Sequence, residues 1–258
     1  VLSNSQIKHI VSLRQKKFRT EHQQFIVEGV KMVSELLNSE YKTIGIYGVE
    51  DFVKLLDYAR SDRQPATEII TEIQLQKISN LETPNKVLAV ARIPKKSGSG
   101  SGSGSAQLNN KLSLALDNIS DPGNLGTIIR TAAWFGIENI ICSENTVDAW
   151  NPKVVQATMG ALFHVNIIYT DLENIVQEFN AKNIPVYATA LDGKNIYESK
   201  LSPNGLIIIG SESHGVSQEI LSLTEHKLFI PSFSKGAAES LNAAVAAGVV
   251  CAEFRRGR

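Results

Sequence analysis

The chain has 258 residues, 43% hydrophobic and 20% charged, with 26 basic side chains balanced by 26 acidic ones. That length points to two folding units, and the apolar content is enough for buried cores. Zero net charge argues against a strong uniform nucleic-acid field, and no apolar run approaches the roughly 20 residues of a membrane-spanning helix. No secretory signal pattern is present, and Cys142 and Cys251 both lie in apolar runs, as buried free thiols do. A cytoplasmic protein with no membrane partner is expected. The chain begins at Val1, which leaves open a trimmed N-terminus.

In chain order, the spacing predicts helices over Gln6–Arg14, Val27–Leu37 and Asp51–Ala59 and strands over Thr43–Tyr47 and Val87–Ala91. This alternation describes a small α/β domain. Lys8, His9, Arg14, Lys16, Lys17 and Arg19 precede the first acid of that segment, Glu21. A basic run of this kind is either a phosphate-contacting face or a solvated helix face. Residues 97–105 alternate Ser and Gly, a composition that buries nothing. They read as a linker, a disordered loop or an engineered replacement for one. The expected division is 1–94, a linker over 95–108, and a second domain over 109–258.

The second domain is predicted to place strands at Leu112–Leu116, Asn139–Ile141, Val165–Ile168, Val186–Ala190, Leu206–Ile209 and Lys227–Ile230. Helices are expected at Asn124–Phe135, Lys153–Met159, Leu172–Asn180 and Ser217–Leu221, with an alanine-rich helix from Ala243. Continuous apolar strands alternating with helices indicate a parallel sheet covered on both faces. Ligands of such sheets collect beyond the C-terminal strand ends.

Three polar segments follow strands of this sheet. Asp117 to Thr131 holds Gly123 and Gly126 for a tight helix entry, Asn124 as a cap or ligand-facing amide, and Arg130. Gly210-Ser211-Glu212-Ser213-His214-Gly215 offers backbone donors and a carboxylate. Ile230-Pro231 leads to Ser240-Leu241-Asn242 at the mouth of the alanine helix, where backbone N–H groups are free. A serine hydrolase is disfavoured, because Ser211 stands where a nucleophile elbow needs Gly, and His214 is not expected to turn back onto Ser213. No phosphate-binding Gly-Lys-Ser/Thr loop, dinucleotide fingerprint or metal-ligand spacing appears, so no metal is expected.

On these three segments, residues 112–254 resemble the SpoU (TrmH-type) branch of the SPOUT RNA methyltransferases. Residues 6–90, through Phe25-Ile26-Val27-Glu28-Gly29, resemble the L30e-like substrate-binding domain that often precedes it. The resemblance implies an S-adenosylmethionine-dependent ribose 2′-O-methyltransferase with a trefoil-knotted parallel-sheet domain, acting as a homodimer with both subunits contributing to each site. Carried onto this chain, Arg130 is the catalytic arginine, and Asn124, Glu212, Ser240 and Asn242 position it, the ribose and the methyl donor. The cofactor lies against Thr189, Ala190, Leu191, Gly210, Ile230 and Leu241. Lys8, Arg14, Lys16, Lys17 and Arg19 become RNA contacts, with Phe18, Phe25 and Tyr41 as candidate base-stacking rings.

Two departures from the family pattern stand out: Ser211 replaces the usual Asn, and Ser232–Ala238 is a longer loop. The family proposal makes the arginine accept the hydroxyl proton, yet a guanidinium titrates above about 12. Fixing the adjacent phosphate is the alternative role. Structured RNA is the implied substrate, ribosomal ahead of transfer RNA. Transfer-RNA 2′-O-methylation, or a non-catalytic RNA-binding protein on the same fold, are the other possibilities.

Overall fold

A computed structural model describes residues 2–52, 67–94, 111–234 and 240–256. The expected linker and most of the expected Asp51–Ala59 helix lie outside these residues. The chain divides into two compact units, one of residues 1–95 with 148–163, the other of 96–147 with 164–258. Residues 148–163 therefore complete the first unit although they follow the second unit's first two strands in sequence.

The first unit runs α1 (Asn4–Ser12), α2 (Lys16–His22), β1 (Gln24–Glu28), α3 (Val30–Leu37), β2 (Thr43–Gly48), β3 (Thr67–Ile69), α4 (Glu72–Ile78) and β4 (Val87–Arg92). Ser3 with Gln6, and Thr71 with Gln74, form reciprocal capping boxes that start α1 and α4. The sheet order is β1-β4-β2-β3, with β4 antiparallel to both neighbours and β2 parallel to β3. Val27 and Glu28 belong to β1, not to the helix expected over Val27–Leu37; that helix starts at Val30. A short apolar run fits strand and helix equally well by periodicity alone, and here the sheet takes it. The core joins β1 and β4 to Met32, Val33 and Leu36 of α3 and to Leu75 and Ile78 of α4.

One consequence concerns the basic segment. Arg19 is only 2% exposed. Its Nε and Nη2 donate to Asp148 Oδ2 at 2.9 and 2.6 Å, and its Nη1 donates to the carbonyls of Leu13 and Arg14 at 2.9 and 2.8 Å. Arg19 is thus a structural ion-pair residue and is corrected from a phosphate contact. Lys8, Arg14, Lys16 and Lys17 remain exposed. Phe25 is fully buried, and Tyr41 packs edge-on between Phe25 and Phe163 at 6.1 and 5.3 Å, where burial pushes its hydroxyl up to about 12. Phe25 is closed to a stacking base, while Tyr41 and Phe18 stay half-buried.

The second unit contains β5 (Leu112–Asp117), α5 (Pro122–Trp134), β6 (Asn139–Cys142), β7 (Asn166–Tyr169), α7 (Leu172–Ala181), β8 (Val186–Asn195), β9 (Gly205–Gly210), α8 (Gln218–Leu223), β10 (His226–Phe229) and α9 (Ala243–Arg255). The helix α6 (Pro152–Thr158) falls in the first unit. All six strands are parallel, in the order β10-β8-β9-β5-β6-β7. Alternate residues of each strand face opposite sides. Ala115, Val186, Ala188, Leu206 and Ile208 share one core with Leu172, Val176 and Phe179 of α7 and Ile220 of α8. The other face meets α9, which packs on β9 and α5. Burial on both faces is why Leu206–Ile209 is apolar throughout.

Candidate active site

The site assembles where α5 and α9 begin. Asp121 accepts from the Asn124 amide at 2.8 Å and caps α5, with Pro122 in the first turn. Asn124 is therefore not the cap; it lies inside the first turn, and its side chain is free to reach elsewhere. At α9, Asn242 is the cap: its Oδ1 accepts from the amides of Ala244 and Val245 at 3.0 and 3.3 Å. Its Nδ2 donates to Asn124 Oδ1 at 2.9 Å and to Glu212 Oε1 at 3.2 Å. Asn124 Nδ2 also donates to Glu212 Oε1, and the Ala243 amide donates to it at 3.4 Å.

At the far end of the helix pair, Arg255 Nε and Nη2 donate to the carbonyls of Phe135 and Gly136 at 2.9 and 3.1 Å. With N-termini and C-termini both paired, α5 and α9 run parallel. Glu212 thus sits at the positive ends of two helix dipoles. Small residues make that approach possible: Ala243, Ala244 and Ala247 of α9 and Gly126 and Ala132 of α5 are buried.

The loop carrying Glu212 is closed by reciprocal backbone bonds between Ser211 and Gly215 at 3.2 and 2.8 Å. A Cβ on Gly210 would collide with the backbone of Gly215 and Val216, so the missing side chain of Gly210 lets the loop fold over the strand end. Ser211 Oγ accepts from the His214 amide at 3.3 Å, a turn contact that its short side chain makes. Ser213 Oγ and His214 Nδ1 lie 2.8 Å apart, which corrects the expectation that the ring could not reach back. The buried Asp117 at the end of β5 anchors the same loop, accepting from the Ser217 amide at 2.8 Å. This carboxylate is not among the expected site residues, although a lone acid closing an apolar strand is a sequence signal for it.

The second wall comes from β8. Its pairing with β10 jumps from Lys227↔Ala188 to Leu228↔Lys194, so the residues between leave the ladder. Pairing to β9 stops at Ala188. Thr189, Ala190 and Leu191 lie in this excursion, with Thr189 Oγ1 donating to the Ile208 carbonyl at 3.2 Å. Gly193 ends it: a Cβ there would stand 2.7 Å from Leu228 backbone atoms, so only glycine lets β8 rejoin β10. Leu191 is 75% exposed and Leu241 45%, while Ile230, just past β10, is half-buried. These candidates lie in the mid-strand excursion of β8, at or just past the C-terminal ends of β9 and β10, and at the mouth of α9. Apolar side chains with backbone polar groups, and no lysine-bearing phosphate loop, suit an adenosyl group better than a polyphosphate.

Arg130 is exposed and, among the described residues, makes no hydrogen bond or ion pair. Six residues beyond Asn124, it lies about 9 Å along α5 and a third of a turn away from it, so one chain does not place it on the carboxylate cluster. Ser240 is exposed next to Leu241. The structure brings together Asn124, Glu212 and Asn242.

Residues 111–252 match the family model of the SpoU rRNA Methylase family, and residues 4–89 match that of the MRM3-like substrate binding domain. The chain is 31% identical to the 23S rRNA (guanosine(2553)-2′-O)-methyltransferase RlmP of Bacillus subtilis, over 98% of this chain and 96% of that protein. A solved structure of a TrmH-family protein from Porphyromonas gingivalis superposes with a TM-score of 0.89 at 35% identity, covering 100% of both chains. An AdoMet-bound rRNA methyltransferase from Sinorhizobium meliloti superposes with a TM-score of 0.86 at 29% identity, covering 99% of this chain and 96% of that one.

Proposed function

The chain belongs to the SpoU rRNA methylase family, and from that premise we propose that it methylates a ribose 2′-hydroxyl of ribosomal RNA, with S-adenosylmethionine as donor. The observation that carries this function is the carboxylate of Glu212, gathered by Asn124, Asn242 and the Ala243 amide where two parallel helices begin.

S-adenosylmethionine supplies an activated methyl group; the protein supplies alignment, which is worth roughly 7–11 kcal/mol in well-oriented reactions. Thr189, Ala190, Leu191, Gly210, Ile230 and Leu241 hold the donor at the strand ends. Glu212 fixes the Asn124 and Asn242 amides, and these with the Ser240 hydroxyl orient the ribose. Arg130 grips the phosphate beside the reacting ribose, a task suited to a planar fork of donors. Because Arg130 stands apart from the cluster of its own chain, it completes the site of a second subunit. A homodimer through α5 and α9, and a trefoil knot in the chain between β9 and α9, belong to this proposal. So do a cytoplasmic setting and RNA contacts from Lys8, Arg14, Lys16 and Lys17.

Calorimetry with S-adenosylmethionine tests the donor, and no binding at millimolar concentration overturns the enzyme. Mapping 2′-O-methyl positions in total RNA with and without the gene identifies the target. Arg130→Lys is expected to lower turnover about a hundredfold while leaving donor affinity unchanged. Near-full activity of this variant at neutral pH refutes the assigned role.

A further inference from the structure

The first unit holds a cleft of about 340 Å³ that methyl transfer does not use. Its lining is contributed by segments far apart in sequence: β1, the turn after α4, and α6. Ile26, Leu81 and Val155 give it apolar walls, and Lys153 stands exposed at its rim. Glu28 also lines it and is only 6% exposed. The Ser79 hydroxyl donates to Glu28 Oε2 at 2.5 Å, and the Asn80 amide and Nδ2 donate to Oε1 at 2.8 and 2.7 Å. A carboxylate offers about four acceptor sites, so these three donors leave one, on a side chain that lines the cleft.

Resting on the function proposed above, we propose that this cleft takes one unpaired nucleobase of the RNA substrate. Apolar walls suit the flat faces of a base, a single carboxylate site suits an amino group on its edge, and Lys153 suits the attached phosphate. The volume lies at the lower end of small-ligand sites, as one base requires. The chemistry also discriminates. Adenine, guanine and cytosine carry an exocyclic amino group that can donate to Glu28. Uracil presents its edge N–H between two carbonyl oxygens, which a carboxylate repels.

Ala157 lines the same cleft and lies outside the methyl-transfer site, so Ala157→Trp fills the cleft without touching Arg130 or Glu212. The RNA KM of this variant is expected to rise about tenfold, with kcat at saturating RNA and S-adenosylmethionine affinity unchanged. Lys153→Gln should raise KM by a smaller factor, and the RNA should crosslink to residues 153–157 when 6-thioguanosine replaces guanosine. An unchanged KM in both variants, with native melting temperatures, overturns the proposal. If Ala157→Trp does not fold, Lys153→Gln and the crosslink decide, and absence of both effects overturns it. Calorimetric binding of S-adenosylmethionine to the unaltered protein separates failure of the cleft from failure of the methyltransferase function.

Discussion

Asn242 performs two tasks with one amide, because its Oδ1 caps α9 while its Nδ2 holds Asn124 and Glu212. The two are separable by substitution. Asn242→Ala should lower stability by about 1 kcal/mol in urea unfolding, the usual value of a lost cap. Asn242→Ser keeps a capping oxygen and should restore that stability, yet methyl transfer should fall about a hundredfold in both variants. Equal activity of the Ser variant and the parent would remove the amide from the chemistry. The two cysteines behave differently, as buried thiols outside the site. Burial pushes Cys142 and Cys251 from the ordinary 9.0 up to about 12. A folded-state value above the unfolded one means that their contribution to stability is complete below pH 9 and is lost as pH rises from 9 towards 12. The melting temperature is expected to fall over that window, and thiol reagents at pH 7.5 should label neither cysteine until urea is added. The candidate residues Asn124, Glu212 and Asn242 were legible as polar residues after strands. Asp117 and the cap Asp121 carry local signals, an acid closing an apolar strand and an Asp-Pro helix start, but Gly193 does not, since it acts through a close approach to the backbone of a distant strand.

Among the elements, α6 and the turn before it show how far a segment can act from its place in the chain. Asp148 pairs with Arg19 across 129 residues, and both side chains are nearly buried. Removing one member of such a pair strands a buried charge. Asp148→Ala and Arg19→Met, each leaving one nearly buried charge unpaired, should each cost about 3–5 kcal/mol, and the double variant, which removes both charges and keeps the bulk of residue 19, distinctly less than their sum. Denaturant unfolding of the three variants checks this; additive losses would show that packing, not charge, sets the cost. Local signals served most helices well. The alanine helix, α5 and α7 appear within a few residues of their expected spans. The failures lie at short apolar runs. The expected helix over Val27–Leu37 takes in the last two residues of β1, and the rest of β1, β3 and α4 have no counterpart among the expected elements, because three to seven residues carry too little periodicity to choose between strand and helix.

For the whole molecule, the helix pair that builds the site also leaves apolar groups uncovered: Trp134 of α5 is 85% exposed and Val245 of α9 is 52% exposed. In the proposed homodimer a second copy covers these side chains and brings in the arginine. If so, Trp134→Glu is expected to give a monomer in sedimentation and to abolish activity while each unit keeps its helicity. An active monomer would contradict the shared site. Amino-acid order alone determined the alternation of apolar strands with helices, and with it the α/β class. It also determined the three polar segments that follow strands and mark the family. Those are short-range properties, set by periodicity, turn residues and spacing along a few tens of residues. The strand order and the parallel approach of α5 to α9 lay beyond it. So did the meeting of Asn124, Glu212 and Asn242 across sequence separations of 30 to 118 residues, and the cleft that α6 completes on β1. Only tertiary structure decides these, because they follow from which buried faces pack together, a competition among distant surfaces that no local stretch of chain encodes.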